Sequence, residues 1–193
     1  MNSQNKQSEN QLIDVLDVIT RWLELRKIPY MVFGGVANSI YGNPRQTFDI
    51  DIKISLEPSY TIEHFINDLR KISSIAPHDP LNFIKDTQVL PIDLNGVRID
   101  IVFAGLSFEK RAIQRSRDVE FYGVRFKVCT VEDLIIHKAI STRQKDWLDI
   151  DSLVNEQRSH IDWEYLLKHC EELSRFMGRS EIITNIRQLK DEA

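Results

Sequence analysis

Two aspartates, Asp49 and Asp51, sit one residue apart in the stretch FDIDIKI, and a third, Asp100, sits in VRIDIVF. Around the first pair the chain alternates strictly. Phe48, Ile50, Ile52 and Ile54 face one way, and Thr47, Asp49, Asp51 and Lys53 face the other, as on a half-buried β-strand. The two carboxylates then share one face, their Cα atoms roughly 6.5 Å apart. Asp100 repeats the design between Ile99 and Ile101. If the two strands are neighbours, three carboxylates converge on one patch. Close like charges are unfavourable unless something neutralises them. Hard divalent cations do so, and magnesium in particular prefers carboxylate oxygen, phosphate and water. Two such ions, magnesium or alternatively manganese, can activate an attacking oxygen and stabilise a leaving one.

Upstream, Gly34 and Gly35 separate the apolar run YMVF from VANSIY, a short helical stretch closed by Gly42 and Pro44. Glycines at a strand-to-helix junction let backbone approach a ligand closely, and the helix end offers free N–H groups. A nucleoside triphosphate is the natural guest, and Arg45 is placed to reach its phosphate oxygens with two donors. Taken singly, each feature has a plain alternative. The acid pair can be the wet side of a half-exposed sheet, the glycines a turn, Arg45 a surface residue, and Asp100 the polar side of an edge strand. Their order along the chain is what supports a site.

The elements that must hold these residues follow from periodicity. Leu12, Val15, Leu16, Ile19, Trp22 and Leu23 predict an amphipathic helix over about 11–27, ended by Pro29. Ile62, Phe65, Ile66, Leu69 and Ile72 predict another, capped by Ser59 or Thr61. Residues 74–87, with Pro77 and Pro80, read as a loop. Asn95-Gly96 between apolar runs signals a hairpin, and Tyr122-Gly123 a second. A helix is predicted over about 107–116 between them. Thr130, with Asp133 three residues on, caps a helix, and only helical segments follow it. The predicted fold is α/β (α+β): a mixed β-sheet core flanked by helices over 11–129, a disordered polar tail over 1–10, and a helical C-terminal region over 130–193 packed on the core.

The chain of 193 residues carries 25 Lys and Arg against 29 Asp and Glu. That balance argues against wrapping nucleic acid by net charge. A local excess of basic residues lies between Arg98 and Lys127, including Lys110, Arg111, Arg115, Arg117 and Arg125. It reads either as a solvated face or as a dock for a nucleic-acid acceptor such as tRNA. Cys129 and Cys170 are isolated and read as small buried apolar residues. No signal peptide and no membrane-length apolar run is visible, so a cytoplasmic protein without membrane partners is expected.

The pattern GGVANSIYG-NPRQTFDIDI resembles the signature of the DNA polymerase β-like nucleotidyltransferase superfamily. PRxTxDIDI together with EDLIIHKAISTRQKDWLDIDSL is similar to the minimal bacterial and archaeal branch. That branch includes abortive-infection and toxin–antitoxin proteins and the lincosamide and aminoglycoside nucleotidyltransferases. The resemblance covers about 29–153. It implies a nucleotidyltransferase that moves an NMP from an NTP to an acceptor hydroxyl with release of pyrophosphate. It also implies Asp49, Asp51 and Asp100 as metal ligands, Asp100 as base, and Gly34 and Gly35 as the phosphate loop. The loop reads GGVA rather than the GS common in the superfamily, so backbone N–H groups would act without a side-chain hydroxyl. The acceptor stays open: RNA or protein in a toxin or phage-defence setting, with a possible antitoxin partner, or a small hydroxylated antibiotic. A catalytically silent nucleotide-binding module is the rival from another class. Lys138 has two readings, a lysine holding the triphosphate or one at the edge of an apolar helix face. Arg143, Lys145, Asp146 and Asp149 suggest a salt-bridge network joining two helices.

Overall fold

The computed structural model describes residues 3–42 and 47–192, with side chains from residue 8 onward. Arg45 lies outside the described residues. Contacts divide the chain into two compact units, Met1–Val36 with Gln46–Cys129, and Ala37–Arg45 with Thr130–Ala193.

The first unit is built on one seven-stranded mixed sheet. In chain order its elements are α1 (Ser3–Leu25), β1 (Tyr30–Phe33), the first turn of α2 (Gly34–Tyr41), β2 (Asp49–Ile54), α3 (Ile62–Leu69), β3 (Ser74–Ile75), α4 (Pro80–Thr87), β4 (Val89–Leu94), β5 (Val97–Phe103), α5 (Ser107–Arg115), β6 (Arg117–Phe121) and β7 (Val124–Val128). The strand order is β3-β4-β5-β2-β1-β7-β6. The acid-bearing strands β2 and β5 are parallel neighbours, whereas β1 runs antiparallel to β2 and β4 antiparallel to β5.

One sheet face is apolar because alternation makes it so. Ile50, Ile52, Ile54, Ile99, Ile101 and Phe103 are all buried, and each such side chain contributes about 1.5–3 kcal/mol when fully withdrawn from water. An edge-to-face aromatic chain ties helices to this face: Phe103 meets Phe65 of α3 at 5.7 Å, and Phe65 meets Trp22 of α1 at 5.8 Å. Both hairpins form where expected. Asn95 and Gly96 have φ of 53° and 80°, and Tyr122 and Gly123 have 50° and 80°, the paired positive values of a two-residue hairpin turn.

Three expectations change. α1 starts at Ser3, well before the apolar periodicity begins. Phe48 does not join the apolar face: β2 begins at Asp49, and Phe48 is 67% exposed just outside it. Residues 74–87 are not a loop throughout. Asp79 caps α4, its side chain accepting the Asn82 N–H at 3.2 Å, and Pro80 occupies the first turn. Proline there loses no hydrogen bond and its φ suits a helix start.

The second unit contains α6 (Val131–Ala139), α7 (Gln144–Gln157), α8 (Trp163–Met177) and α9 (Glu181–Glu192), with the remainder of α2. Thr130 caps α6 by accepting the Asp133 N–H, and its hydroxyl donates to Asp133 Oδ2 at 3.0 Å. Tyr165 of α8 donates to the other oxygen of that carboxylate at 2.8 Å. Both cysteines are buried free thiols, and burial pushes Cys170 up to about 12. Among the described residues no helix is long and apolar enough to cross a membrane.

Candidate active site

The second sheet face carries the polar residues of β2 and β5, and register decides which of them meet. Asp51 stands directly opposite Asp100, and Asp49 opposite Arg98. Directly paired residues of adjacent strands point to the same side, so Asp49, Asp51, Asp100 and Arg98 share one face. Phe33, the last residue of β1, is opposite Asp51 on its other flank. The chain therefore turns into Gly34 immediately beside the Asp51 carboxylate.

Gly34 is the tightest point of the site. Its φ is +63°, and a Cβ there would lie 2.6 Å from Asp51 Cγ and 2.9 Å from Asp51 Cβ. Only glycine tolerates both the backbone conformation and the contact. A Cβ on Gly35 would meet the Thr47 side chain, lying 3.0 Å from its Cβ. Thr47 in turn donates its hydroxyl to Asp49 Oδ1 at 3.0 Å. Both glycines of the phosphate-loop expectation thus pack against the acid strand, one on Asp51 itself and one on the residue that orients Asp49.

Two cations lie on the same face. Arg98 grips Asp100 with two hydrogen bonds, Nε to Oδ1 at 3.0 Å and Nη2 to Oδ2 at 3.2 Å. Lys53, two residues past Asp51, is buried and ion-paired to Glu109 of α5, with its amine 5.5 Å from the centre of the Phe33 ring. Burial lowers the Lys53 pKa, and Glu109 opposes that shift. Glu109 is lowered: burial raises it, but Lys53 and the N–H groups of Leu106 and Gly105 outweigh that. The pair locks the start of α5 onto β2.

The carboxylates of Asp49, Asp51 and Asp100 are the residues on this face that could hold a cation. Their oxygens are hard donors suited to magnesium or manganese, and the Asp51 carboxylate occupies the space that a Cβ on Gly34 would fill. Among the described residues no three acidic, histidine or cysteine side chains already surround one point. Asp100 is instead turned to Arg98.

Lys138 belongs to the second unit. Its amine lies 2.6 Å from Asp149 Oδ2 and 3.5 Å from Asp146 Oδ1, and Arg143 Nε lies 2.7 Å from Asp146 Oδ2. A salt-bridge network does join α6 to α7, but through Lys138, which was not counted in the network expected of Arg143, Lys145, Asp146 and Asp149. Asp146 is lowered despite burial, which raises it, because Ser141, Arg143 and Lys138 favour its charged form. Thr47 and Arg98 were not read as site residues from the sequence. Each was legible in one respect: Thr47 and Asp49, like Arg98 and Asp100, are two apart on one strand face.

A model of the family described as "Nucleotidyltransferase of unknown function (DUF6036)" matches residues 10–190. The chain belongs to this family. A search of curated proteins gives no significant match for this nucleotidyltransferase. Among solved structures, an antigenic nucleotidyltransferase-like protein from Paracoccidioides brasiliensis aligns with a TM-score of 0.57 at 14% identity, covering 92% of this chain and 93% of that one. The antibiotic-resistance factor ANT(2'')-Ia aligns with a TM-score of 0.58 at 15% identity, covering 89% and 95%. At such identities the likeness is one of fold. It agrees with the expected α/β architecture.

Proposed function

We propose that this nucleotidyltransferase is a divalent-metal enzyme that moves an NMP from an NTP to an acceptor hydroxyl. The observation that carries the reading is the register of β2 and β5, which sets Asp51 opposite Asp100 with Gly34 packed on Asp51. In this reading Asp49, Asp51 and Asp100 bind magnesium, or manganese in its place. Bound ions would neutralise the acid cluster and polarise the phosphate and acceptor oxygens.

The protein's own groups do the rest. Gly34 and Gly35 bring backbone alongside the triphosphate. Thr47 holds the Asp49 carboxylate in orientation. Asp100 accepts the proton of the acceptor hydroxyl as that oxygen bonds to the α-phosphorus, and the bond to pyrophosphate breaks. Positioning and charge neutralisation supply most of the acceleration, as in phosphoryl transfer generally. The proposed organisation is a core over 11–129 and a helical region over 130–193, acting in the cytoplasm.

The acceptor is RNA or protein in this proposal, in a toxin–antitoxin or phage-defence role with a possible antitoxin partner. The fold likeness to an antibiotic-resistance factor supports a second reading, a small hydroxylated acceptor. Incubating the protein with each α-labelled NTP, magnesium and cell extract, then separating RNA, protein and small molecules, identifies the acceptor. Label must vanish with Asp49→Ala and with Asp51→Ala. Transfer that survives both substitutions refutes the site.

A further inference from the structure

Arg98 lies on the acid face opposite Asp49, and the proposed reaction does not use it. Its two hydrogen bonds engage both oxygens of Asp100 at once. Across the sheet it stands opposite Asp49 on one side and opposite Asp93 of β4 on the other. Its charge is stabilised by Asp100 first, and then by Asp49 and Asp51. Arg98 thus faces all three acids assigned to the metal site and has a fourth within one strand spacing.

A carboxylate held by a guanidinium fork has its best lone pairs occupied. An ion cannot take Asp100 as a ligand on that side until the fork withdraws. The cost of withdrawal is small, because the Arg98 side chain is 64% exposed and loses little packing. There is also somewhere to go. Asp93 lies directly across β4–β5, about 4.8 Å away along the hydrogen-bonding direction, with one oxygen accepting the Gly96 N–H at 3.0 Å. A groove of about 500 Å³, lined by Pro77, Phe83, Pro91, Asp93 and Arg98 among others, opens at this place.

Building on the metal-dependent reading above, we propose that Arg98 is a built-in counter-cation with two positions. In the ion-free enzyme it holds Asp100 and offsets the repulsion among the three acids. When a divalent ion arrives it yields Asp100 and turns across the strand pair to Asp93. The ion and Arg98 therefore compete for one carboxylate, and the site stays quiet until the ion, or the ion with its nucleotide, outbids the guanidinium.

Competition fixes the sign of the test. Mn2+ binding to nucleotide-free protein is followed by the EPR signal of the free ion, with wild type, Arg98→Ala, Arg98→Lys and Asp100→Asn. Arg98→Ala should bind Mn2+ about tenfold more tightly than wild type, and Arg98→Lys, which keeps the charge but not the fork, should fall between. An Arg98→Ala affinity within twofold of wild type, or weaker, overturns the proposal, since an arginine that merely props Asp100 would lower affinity when lost. A second measurement needs no variant beyond one for assignment. In wild-type protein the Arg98 Nε–H resonance should shift and exchange with water at least tenfold faster when Mg2+ is added, and an unmoved resonance at saturating Mg2+ also overturns it. If Asp100→Asn binds Mn2+ as wild type does, the metal site itself is misassigned, and both the proposal and the functional reading beneath it fall. If Asp100→Asn weakens binding while Arg98→Ala leaves it unchanged, only the role of Arg98 falls.

Discussion

Replacing Gly34 with alanine tests the closest approach in the site. Two costs can be separated. The backbone at Gly34 has φ of +63°, and an L-residue in the left-handed region costs about 1–2 kcal/mol. The new methyl would also stand 2.6 Å from Asp51 Cγ, whereas carbon atoms pack comfortably at about 3.5–4.0 Å. Asp51 Oδ2 would be nearer still, so at least ~1 Å of movement must be found, and the Asp51 carboxylate is what stands in the way. A misplacement of that size at a reacting centre can cost about 10²-fold in rate. Gly123 provides the control, since its φ is +80° and a Cβ there would meet nothing within 4 Å. Gly123→Ala should therefore lose about 1–2 kcal/mol of stability from backbone strain alone, with label transfer unchanged. Gly34→Ala should lose comparable or somewhat greater stability in urea unfolding, keep its far-ultraviolet circular dichroism, and release pyrophosphate about 10²-fold more slowly. Activity within threefold of wild type for Gly34→Ala would refute the claim that the loop must hug Asp51.

Other substitutions read other parts of the molecule. Thr47→Val keeps the shape but deletes the hydroxyl that orients Asp49, so turnover should drop about tenfold, a loss of about 1.4 kcal/mol in transition-state binding, while the melting temperature changes little. Lys138→Met leaves Asp146 and Asp149 facing each other with little access to water. Chemical denaturation should show a loss of about 3–5 kcal/mol; a loss below 1 kcal/mol would mean that the network does not hold α6 to α7. Because the folded-state pKa of Asp146 is depressed, its stabilisation is present above the unfolded value near 3.9 and lost as pH falls through the lower folded value. Urea midpoints measured from pH 7 to pH 3 should fall less steeply below pH 4 in Asp146→Asn than in wild type.

Much of the site was legible because period-two alternation assigns faces without knowledge of the fold. Ile50 and Ile52 against Asp49 and Asp51, and Ile99 and Ile101 against Asp100, needed only the spacing of residues along each strand. Asn95-Gly96 and Tyr122-Gly123 were equally local, since positive φ at both positions of a tight turn is a demand on those residues alone. What stayed hidden depended on ends and partners. Phe48 continues the alternation in sequence, yet the strand begins pairing only one residue later, at Asp49. Pro80 looked like a breaker because its role at a helix start depends on Asp79 supplying the cap. Lys138 could be placed on a helix, but its partners Asp146 and Asp149 come from the next one. Arg98 was counted with the basic residues of its segment, although its spacing from Asp100 equals that of the acid pair.

The pairing of β2 with β5 also bears on how the molecule comes into being. Asp51 and Asp100 become neighbours only after the chain between them, with its helices α3 and α4, has been laid down and looped back. Parallel pairing across so long a loop is entropically slow. During synthesis, a chain that has emerged only through β4 has its paired aspartates and its glycine turn but lacks the strand that carries Asp100. On the proposed assignment of Asp100, such incomplete chains are inert, and activity begins only once β5 pairs with β2.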